Sequence, residues 1–331
     1  MITWTVKTEK NYPVVISDKW SALNVQGQKV CVVTDDNVEP LYLQDVVRQL
    51  EKKQVYSFVI AAGEQSKNAQ TYLQILSFLA QNQFTRKDSV IALGGGVVGD
   101  VAGFAASTYM RGISFYQVPT TLLAMTDSCL GGKTAINLPE GKNLAGTFCQ
   151  PDGVFVNVET LKTLPAEEML NGWGEVTKYA FLSQKIARML AQGATEQLVC
   201  ECLKLKSDVV ARDERESGCR MLLNLGHTVG HAVEALSRFT LPHGVCVAKG
   251  IAAALKISQK YYCLDDEWLE RTKKLIDGRF DLSLPFDKNQ IILQIAHDKK
   301  SVLDGINFVM IRDVGDCRVE KLDFAQLEKL L

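Results

Sequence analysis

Short apolar runs alternate with segments of helical spacing through the first half of the chain. VCVVTD (30–35) is an apolar run closed by a polar turn, and VEPLYLQDVVRQLEKK (38–53) then repeats apolar positions three and four apart. YSFVIA (56–61) reads as a strand and AQTYLQILSFLAQN (69–82) as a helix. SVIAL (89–93) is a buried strand that runs into glycines and the helix-like DVAGFAASTYM (100–110); SFYQVP (114–119) is a further strand. Strands alternating with helices in this way predict a mostly parallel sheet covered by helices.

VFVNVE (154–159) reads as the last strand of that pattern. From Pro165 onward helical periods dominate, in AEEMLNGWGEVTKYAFL, EQLVCECLKLKSDVVARDERE, CRMLLNLGHTVGHAVEAL, GVCVAKGIAAALKISQKYY and DEWLERTKKLIDG. INFVMIRDVG and CRVEKL near the end predict a small strand pair. A chain of 331 residues exceeds one typical core, so the change of texture marks a domain boundary. The expectation is an α/β domain over residues 1–158 and a mainly helical domain over 159–331. There is no internal repeat and no low-complexity segment.

Charge and composition exclude some classes. A net charge of -1 lacks the basic excess of a generic nucleic-acid binder. The opening MITWTVKTEK has no apolar core of a secretory signal, and no stretch approaches the ~18 uninterrupted apolar residues of a membrane span. A cytoplasmic protein with no membrane partner is expected. The nine cysteines are scattered, odd in number and without a C-x-x-C pair, which predicts reduced thiols that act as small buried hydrophobes.

Three groups of residues carry candidate chemistry. Gly94 to Asp100 contains G-x-G-x-x-G between a strand and a helix, where close backbone approach and a helix N-terminus suit a pyrophosphate. The acidic residue of a standard dinucleotide fingerprint is missing about 20 residues on; the earlier turn Thr34-Asp35-Asp36-Asn37 is the substitute. Glu64 and Lys67 in a Gly-Glu-Gln-Ser-Lys turn could hold ribose hydroxyls, with Ser66 as a helix cap. Second, three of the four histidines crowd into 17 residues. His227 and His231, four apart, share a helix face, and spacing alone makes both metal ligands. His243 begins another helix, and Glu175 in Gly-Trp-Gly-Glu is a candidate carboxylate ligand. Third, Arg111, Lys133, Lys142, Lys178, Lys206 and Arg220 sit near Gly-rich or polar turns or on apolar helix faces, as a multiply anionic substrate would require. Arg220, Asn224 and His227, spaced four and three apart, are expected to share one helical face.

These residues resemble a known family, the 3-dehydroquinate synthases, within the sugar phosphate cyclases. The resemblance runs over about residues 30–315. It is densest in GGGVVGDVAGFAASTYMRGISFYQVPTTLLAMTDSCLGGKTAINLPEGKNLAGTFCQP (94–151) and continues in GEVTKY, KSDVVARDERESGCRMLLNLGHTVGHAVE, HGVCVAKGI and DKK. It implies a Rossmann-like α/β nucleotide-binding domain followed by a helical metal-binding domain. It implies NAD held by Asp35, Asn37, Glu64, Lys67, Gly95, Gly96, Val97, Asp100, Thr120, Thr121 and Asp127, with Lys133 and Lys142 beside it. Zinc or cobalt would be held by Glu175, His227 and His243, with His231 reassigned to the substrate. Lys133, Asn143, Lys178, Lys206, Arg220, Asn224, His231 and Lys299 would line the substrate, 3-deoxy-D-arabino-heptulosonate 7-phosphate. Arg111 would reach the phosphate site of a neighbouring subunit, which implies a homodimer. The implied reaction oxidises the substrate transiently, eliminates phosphate, returns the hydride, opens the ring and closes a carbocycle by an aldol step.

Three positions depart from the family pattern. Val245 stands where a carboxylate is usual, Lys249 where a hydrophobic residue is usual, and Ser128-Cys129-Leu130 where Ser-Ser-Val is more usual. A carboxylate at 245 would be a partner of the metal ligands, so Val245→Glu is expected to tighten zinc binding. Two rival enzymes remain. One is a sister cyclase of the 2-deoxy-scyllo-inosose or epi-valiolone synthase type, whose neutral sugar phosphate would not need Lys206, Arg220 and Asn224 together. The other is a metal-dependent polyol dehydrogenase, which would accumulate NADH. A catalytically inert relative would have little reason to keep a metal.

Overall fold

The computed structural model describes residues 1–21, 23–216, 218–276, 278–298 and 305–331. The chain divides into two compact units, Met1–Leu164 and Pro165–Leu331.

In the first unit the strands are β1 (Ile2–Val6), β2 (Tyr12–Ser17), β3 (Lys29–Asp35), β4 (Gln54–Ile60), β5 (Ser89–Gly94), β6 (Ser114–Pro119), β7 (Lys133–Leu138), β8 (Gly141–Phe148) and β9 (Gly153–Asn157). The helices are α1 (Glu39–Arg48), α2 (Ala69–Gln81) and α3 (Gly96–Thr108). Seven strands form one sheet in the order β1-β2-β9-β6-β5-β3-β4. Every neighbouring pair is parallel except β1 with β2. The apolar runs are continuous because both faces are covered. Cys31, Val33, Val90 and Ala92 face a core with Ile75 and Leu79 of α2 and Val101 and Ala105 of α3. Val30, Val32, Ile91 and Leu93 face the opposite core with Leu43 and Val46 of α1. β7 and β8 form a separate antiparallel hairpin packed on α3.

Helix α2 is capped by Asn68, not by Ser66: Thr71 N donates to Asn68 Oδ1 at 2.9 Å. Ser66 instead ends a 3-10 turn, Glu64–Ser66, and Lys67 separates it from the extended backbone of Asn68 that opens the helix.

The second unit contains α4 (Ala166–Leu182), α5 (Gln184–Met189), α6 (Glu196–Arg212), α7 (His227–Leu236), α8 (His243–Tyr262), α9 (Asp266–Lys273), α10 (Lys288–Asp298) and α11 (Phe324–Leu330). Strands β10 (Ile306–Asp313) and β11 (Asp316–Leu322) form the antiparallel pair expected near the end. α8 is buried along most of its length and packs on α4, α7, α9 and β10. Thr195, Asp265 and Asp323 cap α6, α9 and α11 by accepting a backbone N–H.

The stretch read as one helix from Cys219 to Leu236 is broken. Cys219–Asn224 is a 3-10 turn, and Gly226, at φ +80, separates it from α7. A Cβ on Gly226 would lie 2.7 Å from Val247 O on α8, so glycine is required both by the left-handed backbone and by the close helix approach. Arg220 and Asn224 therefore do not continue the face of His227 along a single helix. Among the described residues no helix is long and apolar enough to cross a membrane, and no cysteine is in a disulfide.

Candidate functional site

The first unit builds an anion-seeking turn at the end of β5. Gly95 occupies the N-cap of α3 and no side chain caps that helix, so its first-turn amides have no intrahelical partner. Gly96 and Val97 form its first turn, and Asp100 follows one turn on. Thr120 follows β6, and its N–H donates to Gly94 O at 3.0 Å. The Thr120 side chain is buried, and its Oγ1 has no hydrogen-bond partner among the described residues. Buried hydroxyls are nearly always satisfied, so one left open beside a bare helix N-terminus fits a ligand such as a dinucleotide. Thr121 Oγ1 accepts from Ala124 N at 3.2 Å and starts a π-helical turn, Ala124–Ser128, that carries Asp127. Such turns are frequent at functional sites.

A polar network ties the hairpin to the Glu64 turn. Lys67, 5% exposed, donates to Asp100 Oδ2 and to Asn143 Oδ1, both at 2.5 Å. Asn137 Nδ2 donates to Glu64 Oε1 at 2.7 Å, and Asn137 Oδ1 accepts from Asn143 N at 2.9 Å. Lys142 lies 3.8 Å from Glu64. Asn143 holds a left-handed backbone, φ +57, which Asn tolerates better than most residues. Asp35, at the end of β3, accepts from Asn37 N and Val38 N at 3.0 Å each. Burial raises its carboxyl above the ordinary value, against those two bonds. Lys133 is exposed at the start of β7. Arg111 is exposed on the turn after α3 with φ +70.

In the second unit, helix crossings converge on one carboxylate. A Cβ on Gly174 of α4 would lie 1.9 Å from Gly244 O of α8. The helices thus meet backbone to backbone, and the next residue on α4, Glu175, meets the residue before Gly244, His243. Glu175 Oε1 is 3.1 Å from His243 Nε2 and 3.4 Å from His227 Nε2. Its other oxygen pairs with buried Lys178, one turn along, at 2.5 Å. Burial alone would raise the Glu175 carboxyl, but Lys178 and the two imidazoles hold it well below the usual range.

The outer nitrogens of both imidazoles are engaged. His227 Nδ1 lies 3.2 Å from Leu225 O, and His243 Nδ1 lies 3.1 Å from Glu234 Oε2. With both Nδ1 atoms turned outward, both Nε2 atoms face Glu175, and a bound cation would take the place of the Nε2 proton that His243 otherwise shares with Glu175. Burial opposes protonation of His243, but its bonds to Glu175 and Glu234 prevail and raise it to about 10. The donor separations of 3.1 and 3.4 Å fit a tetrahedral site, whose ligand–ligand edge is about 3.3 Å for bonds of about 2.0–2.1 Å. His231 is close as well: the ligand atoms of His227, His231 and His243 all lie within 4.8 Å of one another. Its side chain is exposed, and no hydrogen bond to its ring is found among the described residues.

Buried cations lie nearby in sequence and packing. Lys206 on α6 and Arg220 on the 3-10 turn are both buried, and α6 packs against that turn. Arg220 N donates to Asp213 Oδ2 at 2.9 Å, and its guanidinium donates to Glu214 O. Asn224 Nδ2 donates to Glu216 Oε1 at 2.7 Å. Lys299 lies outside the described residues.

The sequence matches two family descriptions in order: 3-dehydroquinate synthase N-terminal over residues 57–171 and 3-dehydroquinate synthase C-terminal over 172–301. The chain belongs to the 3-dehydroquinate synthase family. It is 41% identical to the 3-dehydroquinate synthase of Pseudoalteromonas atlantica over all of both chains. It is 42% identical to that of Thermococcus kodakarensis over 94% of this chain and 90% of the other. Among solved structures, a 2-deoxy-scyllo-inosose synthase complexed with carbaglucose-6-phosphate, NAD+ and Co2+ superposes with a TM-score of 0.86, 21% identity and 99% coverage of both chains. A 2-epi-5-epi-valiolone synthase from Streptomyces hygroscopicus with NAD+ and Zn2+ gives 0.85 at 24% identity, covering 96% and 95%. At that identity the two structures establish the shared fold: a parallel-sheet α/β domain followed by a helical one.

Within this family fold, three polar residues escaped the sequence reading. Asn137 bridges Glu64 and Asn143, Glu216 engages Asn224, and Glu234 holds His243. Asn137 left a signal, an amide in the otherwise apolar run Ala-Ile-Asn-Leu. Glu216 sits in a charged run, Asp213 to Glu216, that reads as solvated surface. Glu234 lies seven residues after His227 and only the fold shows which histidine it serves.

Proposed function

We propose that the chain catalyses the 3-dehydroquinate synthase reaction, converting 3-deoxy-D-arabino-heptulosonate 7-phosphate to 3-dehydroquinate and phosphate as an NAD- and metal-dependent carbon–oxygen lyase. The observation that carries the metal part is the convergence of His227 Nε2 and His243 Nε2 on Glu175 Oε1 at tetrahedral-edge distances. A bound zinc or cobalt ion would acidify a substrate hydroxyl, and bound NAD would take and later return a hydride.

The chain's own groups bind, orient and balance charge. Gly95, Gly96, Val97 and the α3 N-terminus take the pyrophosphate; Asp35, Asn37, Glu64, Lys67, Asp100, Thr120, Thr121, Asp127, Lys133 and Lys142 complete the NAD site. Lys178, Lys206, Arg220, Asn224, Asn143, Lys133 and Lys299 hold the carboxylate, hydroxyls and phosphate of the substrate. Burial of Lys178, Lys206 and Arg220 supports this assignment, since desolvated cations favour a multiply charged anion. His231, to whose ring no hydrogen bond is found among the described residues, contacts the substrate, where its imidazole can accept or deliver a proton. Positioning does much of the work, because one set of side chains holds several successive intermediates. We further infer a cytoplasmic homodimer in which Arg111 serves the neighbouring subunit's phosphate site.

The test is phosphate release by the purified protein supplied with the heptulosonate phosphate, NAD and zinc. The expected result is stoichiometric phosphate and dehydroquinate with no net NADH. Release from glucose 6-phosphate or sedoheptulose 7-phosphate instead would make it a sister cyclase, and NADH accumulating with a simple polyol would make it a dehydrogenase.

A further inference from the structure

Glu234 has no counterpart at His227. Both imidazoles use Nδ1 to an outer acceptor, but His227 meets a backbone carbonyl, Leu225 O, whereas His243 meets a buried carboxylate. Glu234 stands on α7, seven residues after His227, so the helix that begins with one imidazole also anchors the imidazole of α8. Its backbone carbonyl is engaged separately, by Ser237 Oγ and Phe239 N.

We infer that Glu234 is the positioning residue for His243: by accepting the Nδ1–H it fixes the tautomer and ring angle that present Nε2 to the metal. This rests on the reading that Glu175, His227 and His243 hold a divalent metal. A carboxylate acceptor makes the imidazole a better donor than a carbonyl does. The two histidines are therefore unequal ligands, His243 the stronger.

The experiment measures zinc affinity by competition with a chromophoric chelator, and the visible spectrum of the cobalt(II)-loaded protein, for the parent, Glu234→Ala and Glu234→Gln. Glu234→Ala should bind zinc about 10–100-fold more weakly. Glu234→Gln keeps an acceptor for the Nδ1–H, so it should recover most of that loss while its cobalt bands stay shifted from the parent's, reporting the lost charge. A fold that merely tolerates the side chain would leave the cobalt spectrum unmoved. Parent-like zinc affinity in Glu234→Ala overturns the inference, as does a Gln variant as weak as the Ala variant with unshifted bands. Failure of the parent itself to bind zinc would instead overturn the metal reading beneath it.

Discussion

Replacing Gly174 by alanine separates the geometry of the metal site from the stability of the fold. The new Cβ would lie 1.9 Å from Gly244 O, against the 3.4 Å at which ordinary contact begins. α4 and α8 must move apart by about 1.5 Å to accept it, because the obstructing atoms, Gly244 O, C and Cα, are all backbone. Glu175 and His243 are neighbours of the two glycines, so their 3.1 Å separation opens past 4 Å. Two metal bonds of about 2.0–2.1 Å reach at most about 4.2 Å, and only when collinear, so the tetrahedral arrangement is lost. Overpacking of this kind costs about 1–3 kcal/mol. We expect zinc affinity to fall by roughly 100-fold or more, beyond the loss of an outer partner alone. Chelator competition and thermal unfolding measure the two effects. Gly193→Ala is the control: Gly193, unlike Gly174, holds a positive φ, +80, and nothing lies within 4 Å of its Cβ position. It should lose stability through backbone strain and keep its zinc. If Gly174→Ala loses stability yet binds zinc like the parent, the helix crossing does not set the ligand positions.

Glu175→Gln removes the counter-charge of a buried lysine, both side chains being 3% exposed. It should lose about 3–5 kcal/mol in urea unfolding together with its zinc; a loss below 1 kcal/mol would show Lys178 satisfied elsewhere. Lys67→Met strips the shared donor from Asp100 and Asn143 and should weaken NAD binding roughly tenfold or more, at about 1.5–3 kcal/mol for a charged hydrogen bond, read by fluorescence titration; unchanged affinity would remove Lys67 from the site. Burial alone would raise the buried Asp88, but the amides of Lys29, Thr85 and Gln28 and the Thr85 hydroxyl hold it below its ordinary value. Its stabilisation is therefore present above the unfolded carboxyl value and lost as pH falls through the folded one. Asp88→Asn should be weaker than the parent by about 1–2 kcal/mol at pH 7, with the gap closing toward pH 3; a gap independent of pH refutes the assignment. Val245→Glu should leave zinc affinity unchanged, contrary to the expectation from the family pattern, since both nitrogens of His243 are already directed to Glu234 and Glu175; tenfold tighter binding would reinstate that expectation.

The sheet was legible where burial on both faces makes strands uniformly apolar. β3 and β5 read directly because each sends alternate residues into two separate cores. β1 and β2 escaped because they form the antiparallel end of the sheet, and β1 has only one buried residue, Val6. The β7–β8 hairpin escaped for a related reason. β8 is half exposed, with Leu144 and Phe148 turned outward, and one face of the hairpin packs on α3. A two-stranded ribbon rich in Gly, Lys and Asn has no periodicity that distinguishes it from a loop. Helix period likewise carried the Cys219 to Leu236 reading across Gly226, because a left-handed residue interrupts the backbone without interrupting the spacing of the side chains along the sequence.

The metal site shows a second limit. Spacing placed His227 and His231 on one face, and they are indeed close, with ring centroids 5.1 Å apart. Proximity alone then favours three histidines as a set. What separates them is support: His227 and His243 each have Nδ1 held from behind and Nε2 on Glu175, whereas no hydrogen bond to the His231 ring is found among the described residues. A ligand must be held still within a few tenths of an ångström, while a group that moves a proton gains from freedom to turn. Every supporting contact comes from another helix or from the backbone before α7, and the crossings depend on glycines beside the ligands: Gly174 by Glu175, Gly226 by His227, Gly244 by His243. The sequence displays that adjacency openly. It becomes chemical information once α4, α7 and α8 are known to touch there, because a glycine beside a ligand specifies closeness without saying to what.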